Sequence, residues 1–216
     1  MREIDKVFAR GLVVILVSTF LVSCASIPDL KVNYQLPPRS DQLKGNKVIL
    51  KIEDARKGEE VLGQGAKKEL EGFSGNFSLS VADYKEKGFK IGIFDVPSML
   101  KEVFQRKLEN LGLTVQLGES REGPHLFIVL KEFLLDREGK KWVARMSYEA
   151  KLVTSAGFMA SQAINGQAER YELVGREEAD VALGEILTDL VNRLDVVMLF
   201  QKTGLRSAHL RLPSKK

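Results

Sequence analysis

Apolar and polar residues alternate from Lys47 to Asp54 (KVILKIED), with Val48, Leu50 and Ile52 set against Lys47, Ile49, Lys51 and Glu53. This period of two predicts a strand with one well-buried face. Leu100, Val103, Phe104, Leu108 and Leu111 recur at helical spacing behind Asp95 and Pro97, which suit a helix start, and Gly112 suits its end. Leu113 to Leu117 reads as a short strand, and His125 to Phe133 as a strand apolar on both faces, as in the middle of a sheet. The alternation is clearest over Trp142 to Thr154. A turn at Ser155, Ala156 and Gly157 returns the chain into a long partner strand from about Phe158 to Leu173, where Gly166 is expected to mark a bulge. A final helix is expected from about Arg176 to Phe200. Its apolar stripe is Ala179, Leu183, Ile186, Leu187, Leu190, Leu194, Val197 and Met198.

Two stretches lack sustained periodicity. Residues 25–46 are polar and carry Pro28, Pro37, Pro38 and Gly45, which reads as a flexible tether reaching up to about 70 Å when extended. The alternation of Val32, Tyr34 and Leu36 also permits a short edge strand there. Residues 55–90 are rich in glycine and charge and predict a long, partly ordered excursion with a short strand near Phe77 to Val81. Together these elements predict an α+β fold: a two-layer sandwich, mostly antiparallel, with two amphipathic helices packed on one face. The expected divisions are a leader over 1–23, a tether over 24–46, one globular domain over 47–201 and a tail over 202–216.

The leader carries an address. Arg2, Lys6 and Arg10 precede an uncharged apolar run from Gly11 to Val22, which is too short for a comfortable bilayer span and has the form of a signal peptide. It closes on Leu21, Val22, Ser23 and Cys24, which resembles a bacterial lipoprotein box. That resemblance implies a diacylglyceryl group on the Cys24 sulfur, cleavage before Cys24, and further acylation, such as palmitate, on the new amino group. A secretory peptide with a chance cysteine and an uncleaved anchor helix are the alternatives. Two or three acyl chains hold a protein stably on a membrane where a single chain does so marginally. Ala25, rather than Asp, follows the cysteine, and in the sorting pattern of such lipoproteins this implies export to the outer membrane, at its periplasmic face.

Composition narrows the chemistry. The 216 residues are 44% hydrophobic and 29% charged, which fits a folded domain rather than a disordered polymer. One cysteine excludes an internal disulfide, and with only two histidines no zinc site of the usual nitrogen and sulfur ligands is expected. The net charge of +4 invites a nucleic-acid reading, yet the leader carries three basic against two acidic residues, and the tail five basic and none acidic. The body between is therefore slightly acidic, and no nucleic-acid partner is expected. Lys202, Arg206, Arg211, Lys215 and Lys216 in the tail suit contact with anionic lipid or glycolipid, or simply a solvated, frayed end.

No catalytic constellation emerges. His125 begins an apolar strand and His209 lies in the tail, neither beside a local partner that would orient a base. Gly63-Gln64-Gly65-Ala66-Lys67-Lys68 superficially suggests a phosphate loop but lacks its order. Glu132 and Asp136 form a possible carboxylate pair, although turns and strand ends favour solvated charge. Asp54 and Arg56 are expected to form a polar turn cluster with Glu53 nearby. Trp142, Tyr148 and Phe158 offer either core or an aromatic face for a chain ligand. No metal or cofactor is expected beyond covalent lipid on Cys24.

Leu21-Val22-Ser23-Cys24, the strand end Ile52-Glu53-Asp54-Ala55-Arg56 and the passage Leu108-Glu109-Asn110-Leu111-Gly112-Leu113-Thr114-Val115 together resemble the YajG-like family of outer-membrane lipoproteins. The resemblance implies an envelope lipoprotein with no enzymatic activity assigned and no agreed ligand. The expected function is a non-enzymatic accessory role in contact with an envelope protein or polymer. The alternative is an auxiliary lipoprotein of an ABC-type lipid-transport system, which an apolar groove between helices and sheet would favour.

Overall fold

The computed structural model describes residues 30–58, 60–118, 123–172 and 177–205. Leu21, Val22, Ser23 and Cys24 lie outside the described residues, as do Arg206, His209, Arg211, Lys215 and Lys216.

The α+β class is as expected, in two sheets. In the larger, β2 (Lys47–Asp54) lies between β5 (Thr114–Leu117) and β6 (His125–Glu138), parallel to both. β6, β7 (Lys141–Val153) and β8 (Met159–Tyr171) then follow as antiparallel hairpins. Their turns contain Gly139 at φ +65° and Gly157 at φ +82°, a left-handed conformation that glycine adopts without a Cβ penalty. The smaller sheet joins β1 (Leu30–Gln35), β3 (Phe77–Ala82) and β4 (Phe89–Phe94). Of the six described strand pairings three are parallel, so both sheets are mixed, while the long β6–β7 and β7–β8 ladders make most of the paired residues antiparallel, as expected. Parallel neighbours need a crossover, and α2 (Val96–Asn110) supplies the one between β2 and β5.

Both long helices pack on one face of the larger sheet, as their stripes required. Tyr148 of β7 meets both: its ring stands edge-on to Phe104 of α2 at 5.3 Å, and its hydroxyl donates to Leu190 O of α3 (Glu177–Arg193) at 2.8 Å. Asp95 caps α2 by accepting from Ser98 N at 2.8 Å. Gly112 at φ +86° turns the chain behind it, where a Cβ would stand 3.1 Å from the Lys44 backbone.

Four features differ from the sequence reading. Residues 30–35 are not tether but a strand at the edge of the smaller sheet, the alternative that the alternation of Val32, Tyr34 and Leu36 permitted: Leu30, Val32 and Tyr34 are buried on one side, and Leu36 and Leu43 join the core. The stretch after Arg56 is more ordered than its glycines suggest, with α1 (Gln64–Glu69), β3 and the unanticipated β4. The final helix is broken. α3 ends at Arg193, and α4 (Val196–Lys202) restarts behind Asp195, whose side chain accepts from Met198 N at 2.8 Å. Thr203 beyond it is buried, so the folded body runs past the expected boundary at 201.

Finally, Gly166 is not a bulge, because the β7–β8 register is continuous through it. It accommodates α3 instead: a Cβ there would lie 2.9 Å from Leu190 Cδ2. The register shifts fall at Leu130/Glu132 and at Leu79/Ser80.

Candidate functional site

Strand β1 and helix α3 build a seam whose contacts fall at every fourth residue along the helix, on Asp180, Gly184, Thr188 and Asn192. Asp180 Oδ1 accepts from Lys31 N at 2.9 Å, and Thr188 Oγ1 accepts from Gln35 N at 3.1 Å. Asn192 Nδ2 donates to Gln35 O at 2.9 Å, while its Oδ1 accepts from Tyr34 Oη at 2.9 Å. Between them Gly184 lets the strand come close, since a Cβ would stand 2.9 Å from Asn33 O. Side chains of the helix thus occupy the edge of β1 that another strand would otherwise pair with. A groove of about 810 Å³ runs beside this seam, lined by Asn33, Gln35, Thr188 and Asn192 together with charged Asp180, Glu185, Asp189 and Arg193. Among the described residues Val181 is the only aliphatic side chain in its wall. The seam escaped the sequence reading, which followed only the apolar stripe of this helix.

The break between α3 and α4 is held by a buried amine. Lys107 of α2 is 3% exposed, and its Nζ donates to Val191 O at 2.6 Å and Leu194 O at 2.8 Å. Burial pushes this ammonium down to about 7, opposed by the charge of Asp195. These carbonyls face the helix end, where the intrahelical ladder leaves acceptors without partners. Lys107 falls among the apolar positions of α2, and its place at the end of another helix had no sequence signal.

Asp54 and Arg56 meet as expected. Asp54 Oδ1 accepts from Arg56 N at 3.2 Å and from its Nε at 2.9 Å, and Oδ2 accepts from Nη2 at 2.7 Å. This fork holds the Asp54 carboxyl below the usual carboxylate range. The Arg56 side chain is 8% exposed, and its Nη1 is buried without a protein partner. A concavity of about 580 Å³ adjoins it, with Lys57, Lys131, Glu132 and Ser147 beside apolar Phe133 and Leu134. The charges there are of both signs, and Lys131 is already engaged by Glu149 at 2.9 Å.

The other sequence candidates separate. The glycine-rich stretch at 63–68 does cradle an anion, but the anion is the protein's own: Asp136 Oδ1 accepts from Gly65 N at 3.0 Å and Ala66 N at 3.2 Å. Gly63 is required for the same approach, because a Cβ would overlap the Asp136 carboxyl. Asp136 is thereby committed to α1, and Glu132 faces the Arg56 concavity instead, so the two do not form an acid–base pair. His125 stacks on Phe127 with ring centroids 5.9 Å apart, and its Nδ1 is buried without a protein partner. No carboxylate or nucleophile bonds to it among the described residues. Trp142 and Tyr148 are core, whereas Phe158 stands 64% exposed at a hairpin tip. Of the tail cations, Lys202 closes α4, and the rest are outside the described residues.

No family model and no curated protein matches the chain. Among solved structures the fold is similar to that of a Xanthomonas campestris protein of the DUF330 family model, at 17% identity and a TM-score of 0.52 over 83% of this chain and 96% of that one. That likeness is one of fold alone. Weaker superpositions are found with rare lipoprotein B of Shewanella oneidensis, at 9% identity and TM-score 0.38 over 73% of this chain and 98% of that one. Lipoprotein GNA1162 of Neisseria meningitidis superposes at 9% identity and TM-score 0.33 over 68% and 99% respectively.

Proposed function

We propose that this chain is a lipid-anchored protein of the bacterial envelope with a non-enzymatic accessory or binding role, acylated on Cys24 and held at the periplasmic face of the outer membrane. The observation that carries the reading is the distance from the anchor to the fold. The box Leu21-Val22-Ser23-Cys24 is followed by strand β1 at Leu30, only six residues on. Six residues span at most about 20 Å, so the acyl chains would keep the domain against the bilayer rather than on a long leash. Ala25 favours the outer membrane, and the likeness to YajG-like lipoproteins stands as part of the same reading.

The site geometry supports a binding role over catalysis. Asp136 and Asp54 are each spent on the protein's own amide and guanidinium groups, and His125 is stacked on a ring rather than oriented by a carboxylate. The lipid-transport alternative called for an apolar groove between helices and sheet. The groove along α3 holds one aliphatic side chain, Val181, among amides, a hydroxyl and four charged side chains, and so does not single out a lipid as its occupant.

The test is replacement of Cys24. In membranes from cells fed labelled palmitate, the native chain should carry label and sediment with the outer membrane, and Cys24→Ala should lose the label and become soluble. Label retained by Cys24→Ala, or a native chain in the soluble fraction, would overturn the anchor. Crosslinking of the native protein in cells would then identify what it contacts.

A further inference from the structure

The free edge of β8 carries an interface. We infer that two copies of this chain pair through β8, antiparallel, about a twofold axis at Asn165, to form one continuous sheet.

The backbone geometry comes first. Thr154 N donates to Phe158 O at 2.9 Å, and Glu172 N donates to Lys140 O at 2.9 Å. Positions 158 and 172 are thus bonded toward β7, and by the alternation of an antiparallel ladder the even positions between them are as well. The odd positions from Met159 to Tyr171 direct N–H and C=O outward. Their side chains are all exposed, and among the described residues no strand pairs with this edge. One described side chain reaches it: Arg193 Nη1 lies 3.4 Å from Asn165 O.

Long edges are ordinarily protected by lysines, prolines, bulges or a covering element. β1 is covered in this way by α3. β8 is less protected: apart from the long Arg193 contact to Asn165 O no described side chain bonds its outward backbone, and from Met159 to Ala168 it has no charged residue, no proline and no bulge.

The occupant follows from the sequence of the edge itself. Its two large exposed apolar residues, Met159 at 65% and Tyr171 at 64%, are equidistant from Asn165. Pairing about Asn165 sets Met159 of one copy opposite Tyr171 of the other, Ser161 opposite Glu169, Ala163 opposite Gln167, and Asn165 opposite itself. No like charges face each other, and both exposed side chains gain a cross-strand partner. Nearby charges are already matched within the chain, Arg170 with Glu185 and Arg193 with Asp189. The contact is isologous and closes as a dimer. Its axis is normal to the sheet, so both β1 strands, which lie on the helix side, can lead to anchors in the same bilayer.

Disulfide trapping in native membranes tests the pairing, with the native chain, whose only cysteine is Cys24, as background. Residues directly opposite in a hydrogen-bonded antiparallel pair have Cα atoms about 5.5 Å apart, within disulfide range. Mild oxidation of Asn165→Cys should give a species of twice the chain mass. Ala163→Cys alone and Gln167→Cys alone should not, since each residue and its own copy are then about 14 Å apart. Co-expression of Ala163→Cys with Gln167→Cys should restore the link. Adding Ala163→Pro to Asn165→Cys removes an outward N–H that the single chain does not use, and should abolish the link with circular dichroism unchanged. The inference is overturned if Asn165→Cys stays monomeric, links no more than Ala163→Cys, links to a different protein, or survives Ala163→Pro.

Discussion

Lys107 Nζ donates to Leu194 O at 2.8 Å, so that a residue in the last turn of α2 terminates α3. The same amine donates to Val191 O at 2.6 Å, and the chain turns into α4 directly afterwards. A lysine is an unusual choice for a buried site, because its charge must be desolvated. Here the carbonyls at a helix end, which carry partial negative charge, recover part of that cost.

This arrangement makes stability depend on pH. The Lys107 amine is pushed down to about 7 in the folded chain, against 10.5 as the ordinary value. Below 7 both folded and unfolded chains hold the proton, and the cost of burying the charge is at its full. Between about 7 and 10.5 the folded chain releases it while the unfolded chain keeps it, so stability rises with pH, by up to about 1.4 kcal/mol per unit. Urea titrations from pH 6.5 to 9.5 should show this rise in the native protein and lose it in Lys107→Met. Equal slopes in the two proteins would contradict the assignment.

Leu30→Ala distinguishes a strand from a tether. A tether residue would tolerate the change, but Leu30 is 1% exposed within the core, and truncation there should cost about 2–5 kcal/mol. Thermal or urea unfolding of the two proteins measures it. A variant as stable as the native chain would return residues 30–35 to the linker.

Gly184→Val probes the seam between β1 and α3. Its Cβ would be forced to about the 2.9 Å position from Asn33 O, a backbone atom that cannot rotate away. We expect a loss of about 1–3 kcal/mol. Amide exchange should quicken at Lys31 and Gln35, whose N–H groups are bonded to Asp180 and Thr188. Unchanged protection at those two amides would show that the seam had not been opened.

Asp136→Ala should release the start of α1. The carboxylate accepts from Gly65 N, Ala66 N and Arg137 N, the last at 2.8 Å, and without it these donors lose their partner. The expected cost is about 1–3 kcal/mol, with faster exchange at Gly65 and Ala66. If Gly63-Gln64-Gly65 were instead a site for an external phosphate, Asp136→Ala would bind inorganic phosphate no better than the native chain.

Much of the fold was legible because its signals are local. The Asp95 cap, the Gly112 stop and the strict alternation from Trp142 onward each depend on residues within a few positions of one another, and all are found where expected. Asp54 and Arg56 were legible for the same reason, being two residues apart. β4 was not. Three of its six residues are exposed and none is fully buried, so the buried face that produces a period of two is weak. The break after Arg193 was also hidden, because Leu194, Val197 and Met198 continue the helical stripe past it.

The sequence by itself determined the α+β class and the amphipathic stripes, since each is a property of composition or short-range spacing. Tertiary structure decided what the polar residues do. Asp180, Thr188 and Asn192 look like the wet side of a helix until β1 is laid against them, some 150 residues away in the chain. Lys107 finds its carbonyls across 84 residues, and Asp136 its amides across 71. A buried hydrogen bond is fixed by which groups share a place once water is excluded, and periodicity records only which side of an element is turned inward.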